Sequence, residues 1–236
     1  MKNVLMYGKR KIPVILIERD RKTLAITVKP DGRVEIYMPK GADRKRALHI
    51  AEKKRKWIAG KLDYFEQNRH RFVEKEYVSG ETHSYLGRKY RLRVRKSGRE
   101  RIKKTGGFIY IYTGRNRDLS HKKRLLYGWY KWQAEKIFAA MLVNRAARLK
   151  KYGIKLPEFY VKRMKTRWGS CSRKKGRINL NLELIKTPGE CIEYVIDHEL
   201  LHFICNNHGK EYHRLLDRIT PDWKARKAKL ENYYPG

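Results

Sequence analysis

The chain has 236 residues, with 59 Lys and Arg against 24 Asp and Glu, a formal charge of +35 and an apolar share of 41%. That length allows one large domain or two small ones with a real core, and the charge makes nucleic acid the first candidate partner, through an affinity that is non-specific and defines no site. No run approaches the roughly 18 apolar residues of a membrane span, no signal-peptide core opens the chain, and Cys171, Cys191 and Cys205 form neither a disulfide framework nor a CxxC zinc ribbon. A cytoplasmic protein with reduced thiols is therefore expected, in no defined oligomeric state.

In chain order, the first third reads as strands and then one helix. "PVILIERD" and "TLAITVKPDGRVEIYMP" are rich in Val, Ile and Thr, and "KPDGR" suits a hairpin turn. Ala47, Ile50, Ala51, Trp57, Ile58 and Leu62 then recur at helical spacing over residues 41–72, with Asp43 as N-cap. A second strand group follows in "SYLGRKYRLRVRKSGRERIKKTGGFIYIYTG", where Tyr90, Leu92 and Val94 alternate with Arg91, Arg93 and Arg95. Such a face could track phosphates and stack bases; a half-buried sheet with a solvated basic side is the plainer reading. The polar "TGRNRDLS" divides strand from helix character and sets a domain boundary, giving a β-rich basic region over 1–117 and a second domain over 118–236.

From Ser120 a long amphipathic helix runs to Gly153, a natural C-cap. "LPEFYVKRM" and "GRINLNLELI" read as strands around "KTRWGSCSRKKG", and a helix starts at Thr187-Pro188 and runs to Asn206-Asn207. A last helical stretch begins near Lys210, and no internal repeat stands out.

Chemistry concentrates in "DHELLHFICNNHGKEYH", residues 197–213. His198 and His202 are four apart, one helical turn, so both imidazoles can reach one ion. Glu199 is displaced around the helix, where it can act as a base towards an activated water rather than as a ligand. Zinc suits imidazole nitrogen and keeps a position for water in catalytic sites. The flanking Ile192, Tyr194, Val195, Ile196, Leu200, Leu201, Phe203 and Ile204 are apolar, so polar groups in this helix must be paired or bind something.

A third ligand is required, and His208 ranks first, because Gly209 permits a turn that brings it back; His213 and Glu211 would have to reach from the next helix. A metzincin is disfavoured, since Cys205 stands where its glycine belongs and no methionine follows Met164. A thermolysin-like glutamate ligand would have to be Glu231, with Asp217 and Asp222 as the other downstream carboxylates.

"RWGSCS", "INLNLELI" and "YVIDHELLHFICNNHGKEYHRLL", with "RKTLAITVKPDGRVEIYMPKG" and "YLGRKYRLRV" upstream, resemble the YgjP-like metallopeptidases, relatives of the SprT-like and WLM proteins. The likeness spans nearly the whole chain, with "HELLH" where many relatives have HELAH. It implies an α+β fold: an N-terminal β-rich region with one helix, then a zincin-like catalytic domain with an HExxH helix. It also implies one zinc ion on His198, His202 and His208, with Glu199 catalytic and a protein or peptide as substrate. Tyr212, His213 and Arg167 are the candidate donors to the oxyanion of the transition state. Asp197 is expected at the surface, Trp168 in the core and Cys171 as a packing residue rather than a thiolate ligand. The RWGSC segment is expected to form or flank an edge that aligns extended substrate. The competing function class is a nucleic-acid-binding module with a structural zinc, which would have no need of Glu199.

Overall fold

The computed structural model describes residues 3–67, 75–165 and 167–233. It divides into two compact units, Met1–Glu74 (with Gly236) and Lys75–Pro235. The division expected near residue 117 falls inside the second unit. The polar stretch there is only a short link between a sheet and the helix that packs on it.

In the first unit, β1 (Asn3–Tyr7), β2 (Arg10–Arg19), β3 (Ala25–Val28) and β4 (Val34–Pro39) form a sheet in the order β1-β2-β4-β3. The outer pairs are antiparallel and β2 runs parallel to β4. Period-two alternation turns Leu5, Ile12, Val14, Val34, Ile36 and Met38 inward. The single helix expected next is two, α1 (Arg44–Lys53) and α2 (Arg55–Gln67), broken at Lys54. The break shifts the helical phase, so Ala47, Ala51, Ile58 and Leu62 reach the core while Trp57 is left exposed. Asp43 caps α1 by accepting from the Lys45 amide at 2.8 Å. The expected end of this helix, residues 68–72, lies outside the described residues.

The second unit opens with the same strand topology. β5 (Thr82–Tyr85), β6 (Arg88–Lys96), β7 (Arg101–Thr105) and β8 (Phe108–Thr113) lie in the order β5-β6-β8-β7, again with a parallel central pair. In both sheets the first hairpin closes through two residues, Gly8-Lys9 and Leu86-Gly87, and an Asp-capped helix follows, from Asp43 and from Asp118. This is an internal structural repeat that the sequence reading does not find. The topology asks only for alternation and turn-forming residues, and the second hairpins differ in length, Lys29–Arg33 against Gly106-Gly107.

The α3 helix (Leu119–Arg148) continues through a 3-10 turn to Gly153, whose φ of +78° is the left-handed stop expected of a terminal glycine. Its buried stripe of Leu126, Tyr130, Ala134, Phe138 and Leu142 joins one core with Leu92, Ile109 and Ile111 of the sheet. A three-stranded sheet of β9 (Glu158–Lys162), β10 (Gly169–Ser172) and β11 (Arg177–Asn181) has the order β10-β11-β9, with β10 at an edge. The expected strand ends at Asn181, whose side chain accepts from the Glu183 amide at 3.2 Å and turns residues 182–186 into a 3-10 helix. Then come α4 (Gly189–Leu201), α5 (Lys210–Ile219) and α6 (Trp223–Glu231), with α4 packed on α3, α5, α6, β10 and β11.

The start of α4 is held by the β5–β6 turn. The amides of Leu86 and Gly87 donate to the carbonyls of Ile185 (2.8 Å) and Lys186 (3.2 Å). A Cβ on Gly87 would come within 2.8 Å of the Pro188 ring, and its φ is +77°, so glycine is required there twice over.

Candidate metal centre

His198 and His202 leave α4 one turn apart, and the helix ends at His202. The chain then reverses through 203–209, and His208 returns to the same point. The ligand atoms of His198, His202 and His208 lie within 4.8 Å of one another. Gly209 does not use the left-handed conformation expected of it, since its φ is −73°. The reversal is made by Asn207, whose Oδ1 accepts from the Gly209 amide at 3.2 Å in an Asx turn. A Cβ at Gly209 would sit 3.0 Å from that oxygen, so the glycine matters for close approach.

The outer nitrogens of two rings are already engaged. His202 Nδ1 lies 3.3 Å from the Cys205 carbonyl, which can only accept, so Nδ1 carries the proton and Nε2 a free lone pair. The Tyr212 hydroxyl reaches the His198 carbonyl at 3.4 Å and His198 Nδ1 at 2.7 Å. When the hydroxyl donates to the carbonyl, its lone pair accepts the Nδ1 proton and leaves His198 Nε2 free. That nitrogen lies 3.2 Å from His208 Nε2. Burial, followed by the neighbouring imidazoles, lowers His198 to about 3, and His208 is lowered for the same reasons. Imidazoles whose ring nitrogens converge, two of them oriented from behind by a hydroxyl and a carbonyl, fit a divalent transition metal.

A cleft of about 420 Å³ opens on this cluster, lined by His198, Glu199 and His202, by Gly169, Ser170 and Cys171 of β10, and by Arg167, Arg173 and Asn206. Glu199 is 5% exposed, and burial pushes its carboxyl up to about 8, against the opposing charge of Arg167. Its carboxylate lies directly on β10: a Cβ added to Gly169 would fall 2.5 Å from Glu199 Oε1. Gly169→Ala is expected to push the carboxylate aside and to leave metal binding by the three histidines, which it does not touch, unchanged. A crystal structure of the variant beside a metal titration checks this, and an unmoved carboxylate would count against the placement.

Of the three candidate donors, Arg167 lines the cleft. Tyr212 is buried behind His198, and His213 stacks on Trp223 with ring centroids 5.5 Å apart; neither is among the lining residues. Cys171 does line the cleft, but burial, then Glu199, pushes its thiol up to about 11, which keeps it neutral. Trp168 is half-buried and packs against the core.

Asp197 is not a surface residue. It is 0% exposed, and Arg145 of α3 clamps it from Nε at 2.7 Å and through a terminal nitrogen, while the Thr220 hydroxyl donates at 2.6 Å. The acid therefore ties α4 to α3 and to the end of α5. Three further contributors escape the sequence reading. Arg173 bonds Asn206 across the cleft. Asn181, fully buried, donates to the carbonyls of Met164 (2.8 Å) and Arg167 (2.9 Å), fixing the segment that leads into Gly169. In "INLNL" Asn179 and Asn181 both fall on the polar phase of the alternation, so no sequence signal sets Asn181 apart.

Comparison with known proteins agrees with this chemistry. The family described as "YgjP-like, metallopeptidase domain" matches residues 22–233. Among curated proteins none gave a significant match. Among solved structures, the metallopeptidase zymogen jannalysin of Methanocaldococcus jannaschii is 23% identical with a TM-score of 0.35, over 40% of this chain and 94% of that one. On a match that spans nearly its whole length and contains every residue of the histidine cluster and its cleft, the chain belongs to the YgjP-like metallopeptidase family.

Proposed function

We propose that this protein is a zinc-dependent peptidase of the HExxH type, with His198, His202 and His208 holding one ion and Glu199 as general base. The observation that carries the reading is a juxtaposition. Three imidazoles have ligand atoms within 4.8 Å of one another, and two of them, His198 and His202, line a cleft together with a buried carboxylate that is not part of the cluster. When bound at such a site, zinc lowers the pKa of a water towards about 7 and polarises a carbonyl.

The chain's own groups do the rest. Glu199, desolvated and held on Gly169, accepts a proton from water in the cleft and returns it to the leaving amine. The unpaired edge of β10 offers main-chain donors and acceptors to an extended peptide, which lays the scissile bond across α4. Arg167, at the rim, is suited to hydrogen-bond the carbonyl oxygen as charge develops there. Arg145, Thr220, Tyr212 and Asn181 position these groups without reaching the cleft.

A purified sample should cleave an unfolded protein such as casein. Stripping with a chelator should abolish cleavage, and one equivalent of zinc should restore it. Stoichiometric zinc without cleavage of any protein or peptide would favour a structural site instead.

A further inference from the structure

The four-stranded sheet of the second unit, β5 to β8, has two unlike faces. Leu92, Ile109 and Ile111 point into the core. On the opposite face β8 carries Phe108, Tyr110 and Tyr112, all partly exposed, in a row along the middle of the sheet. Register places a cation beside each ring. Arg91, Arg93 and Arg95 of β6 pair with Phe108, Tyr110 and Tyr112, and Lys103 and Arg101 of β7 pair with Tyr110 and Tyr112. The five cations are all exposed. Between Thr82 and Thr113 the sole acidic residue is Glu100.

The rings form a ladder. Phe108 and Tyr110 have centroids 6.0 Å apart, as do Tyr110 and Tyr112, the latter pair with ring planes nearly parallel at 20°. Guanidinium groups lie over the two end rings, Arg93 4.9 Å from Phe108 and Arg101 4.5 Å from Tyr112. A basic surface needed only for solubility has no use for a row of half-exposed aromatics, because exposed rings forfeit burial free energy.

We propose that this face binds single-stranded nucleic acid, with bases on the Phe108–Tyr110–Tyr112 row and phosphates on the arginine and lysine rows beside it. Single strands are favoured over duplex on two counts. Bases within a duplex are about 3.4 Å apart with their faces covered, whereas these rings are 6.0 Å apart and suit bases splayed from one another. A duplex is read instead by an element that enters a groove, which a broad sheet face does not do. The proposal stands apart from the peptidase reading, since none of these residues lines the cleft.

The test is fluorescence anisotropy of the full chain with labelled strands of about 15 nucleotides: deoxythymidine, uridine and a hairpin duplex, with unlabelled poly-glutamate as competitor. Both single strands are expected to bind more tightly than the duplex and to resist poly-glutamate, and the better of the two identifies DNA or RNA as the preferred form. Tyr110→Ala should weaken single-strand binding about 10-fold, and the Tyr110→Ala, Tyr112→Ala pair about 100-fold. Tyr110→Phe should bind as wild type. Arg93→Gln should reduce the slope of log affinity against log salt by about 0.7. Tyr110→Leu keeps the bulk and loses the stacking face, and serves if the alanine variant melts early. Duplex bound as tightly as single strand, displacement by poly-glutamate, or unchanged affinity in the folded ring variants would each overturn the proposal.

Discussion

Glu199→Gln should keep its metal and lose about 10² to 10⁴ of its hydrolytic rate. The amide has the size of the carboxylate, so it fits against Gly169, and the three histidines are untouched. What it lacks is basicity. A buried carboxylate whose pKa is raised to about 8 by desolvation holds a proton far more readily than a solvent-exposed one, and an amide cannot take that proton at all. The same burial is a cost to the fold, so the variant should melt no lower than wild type, the usual exchange of activity against stability at a catalytic carboxylate. Metal content, melting temperature and single-turnover cleavage on one preparation check this. Wild-type cleavage would place the base elsewhere, and loss of metal would make Glu199 a structural group.

Asp197→Ala should have the largest effect on stability. It leaves the Arg145 guanidinium buried without its carboxylate and strips the Thr220 hydroxyl of its acceptor. Breaking one side of a buried pair costs about 3–5 kcal/mol. In a unit of this size that lowers the melting temperature by about 10 °C. Combining Asp197→Ala with Arg145→Met, which removes the stranded charge, should recover much of the loss. Thermal melts of the two singles and the double form the cycle; additive losses would show that the pair does not act as a unit. Because Asp197 precedes His198, the single variant should also bind zinc more weakly.

The convergence of the three histidines was legible because it is local. An i, i+4 histidine pair in an apolar helix needs only helical geometry to converge, and His208 follows closely enough for one turn to return it. What escaped depends on elements far apart in the chain. Tyr212 looked like a reacting group because its position on α5 was known only as nearby; its hydroxyl is spent on His198. Asp197 looked like a surface acid because its partner Arg145 lies on α3, although a cation in the buried stripe of that helix, set between Leu142 and Ala146, was half of the answer. The reason for Gly169 within RWGSC, the Glu199 carboxylate lying against it, depends on α4, some thirty residues further along the chain.

The organisation of the chain misled for a similar cause. Composition changes at the sheet-to-helix link near residue 117, but Leu92, Ile109 and Ile111 share a core with Leu126, Tyr130 and Phe138 across that link. A change in local character marks a change of element, and only shared burial marks a domain.

The Leu86-Gly87 turn carries this further, because it holds both carbonyls that lead into Pro188 and α4. The histidine-bearing helix α4 is therefore not a portable cassette. A fragment that begins at residue 118 would start with the inner face of α3 stripped of its sheet and the entry to α4 unpinned. The shortest piece expected to keep its fold and its metal begins at Lys75, so the β5–β8 sheet and the histidine cluster would be inherited, expressed and lost together.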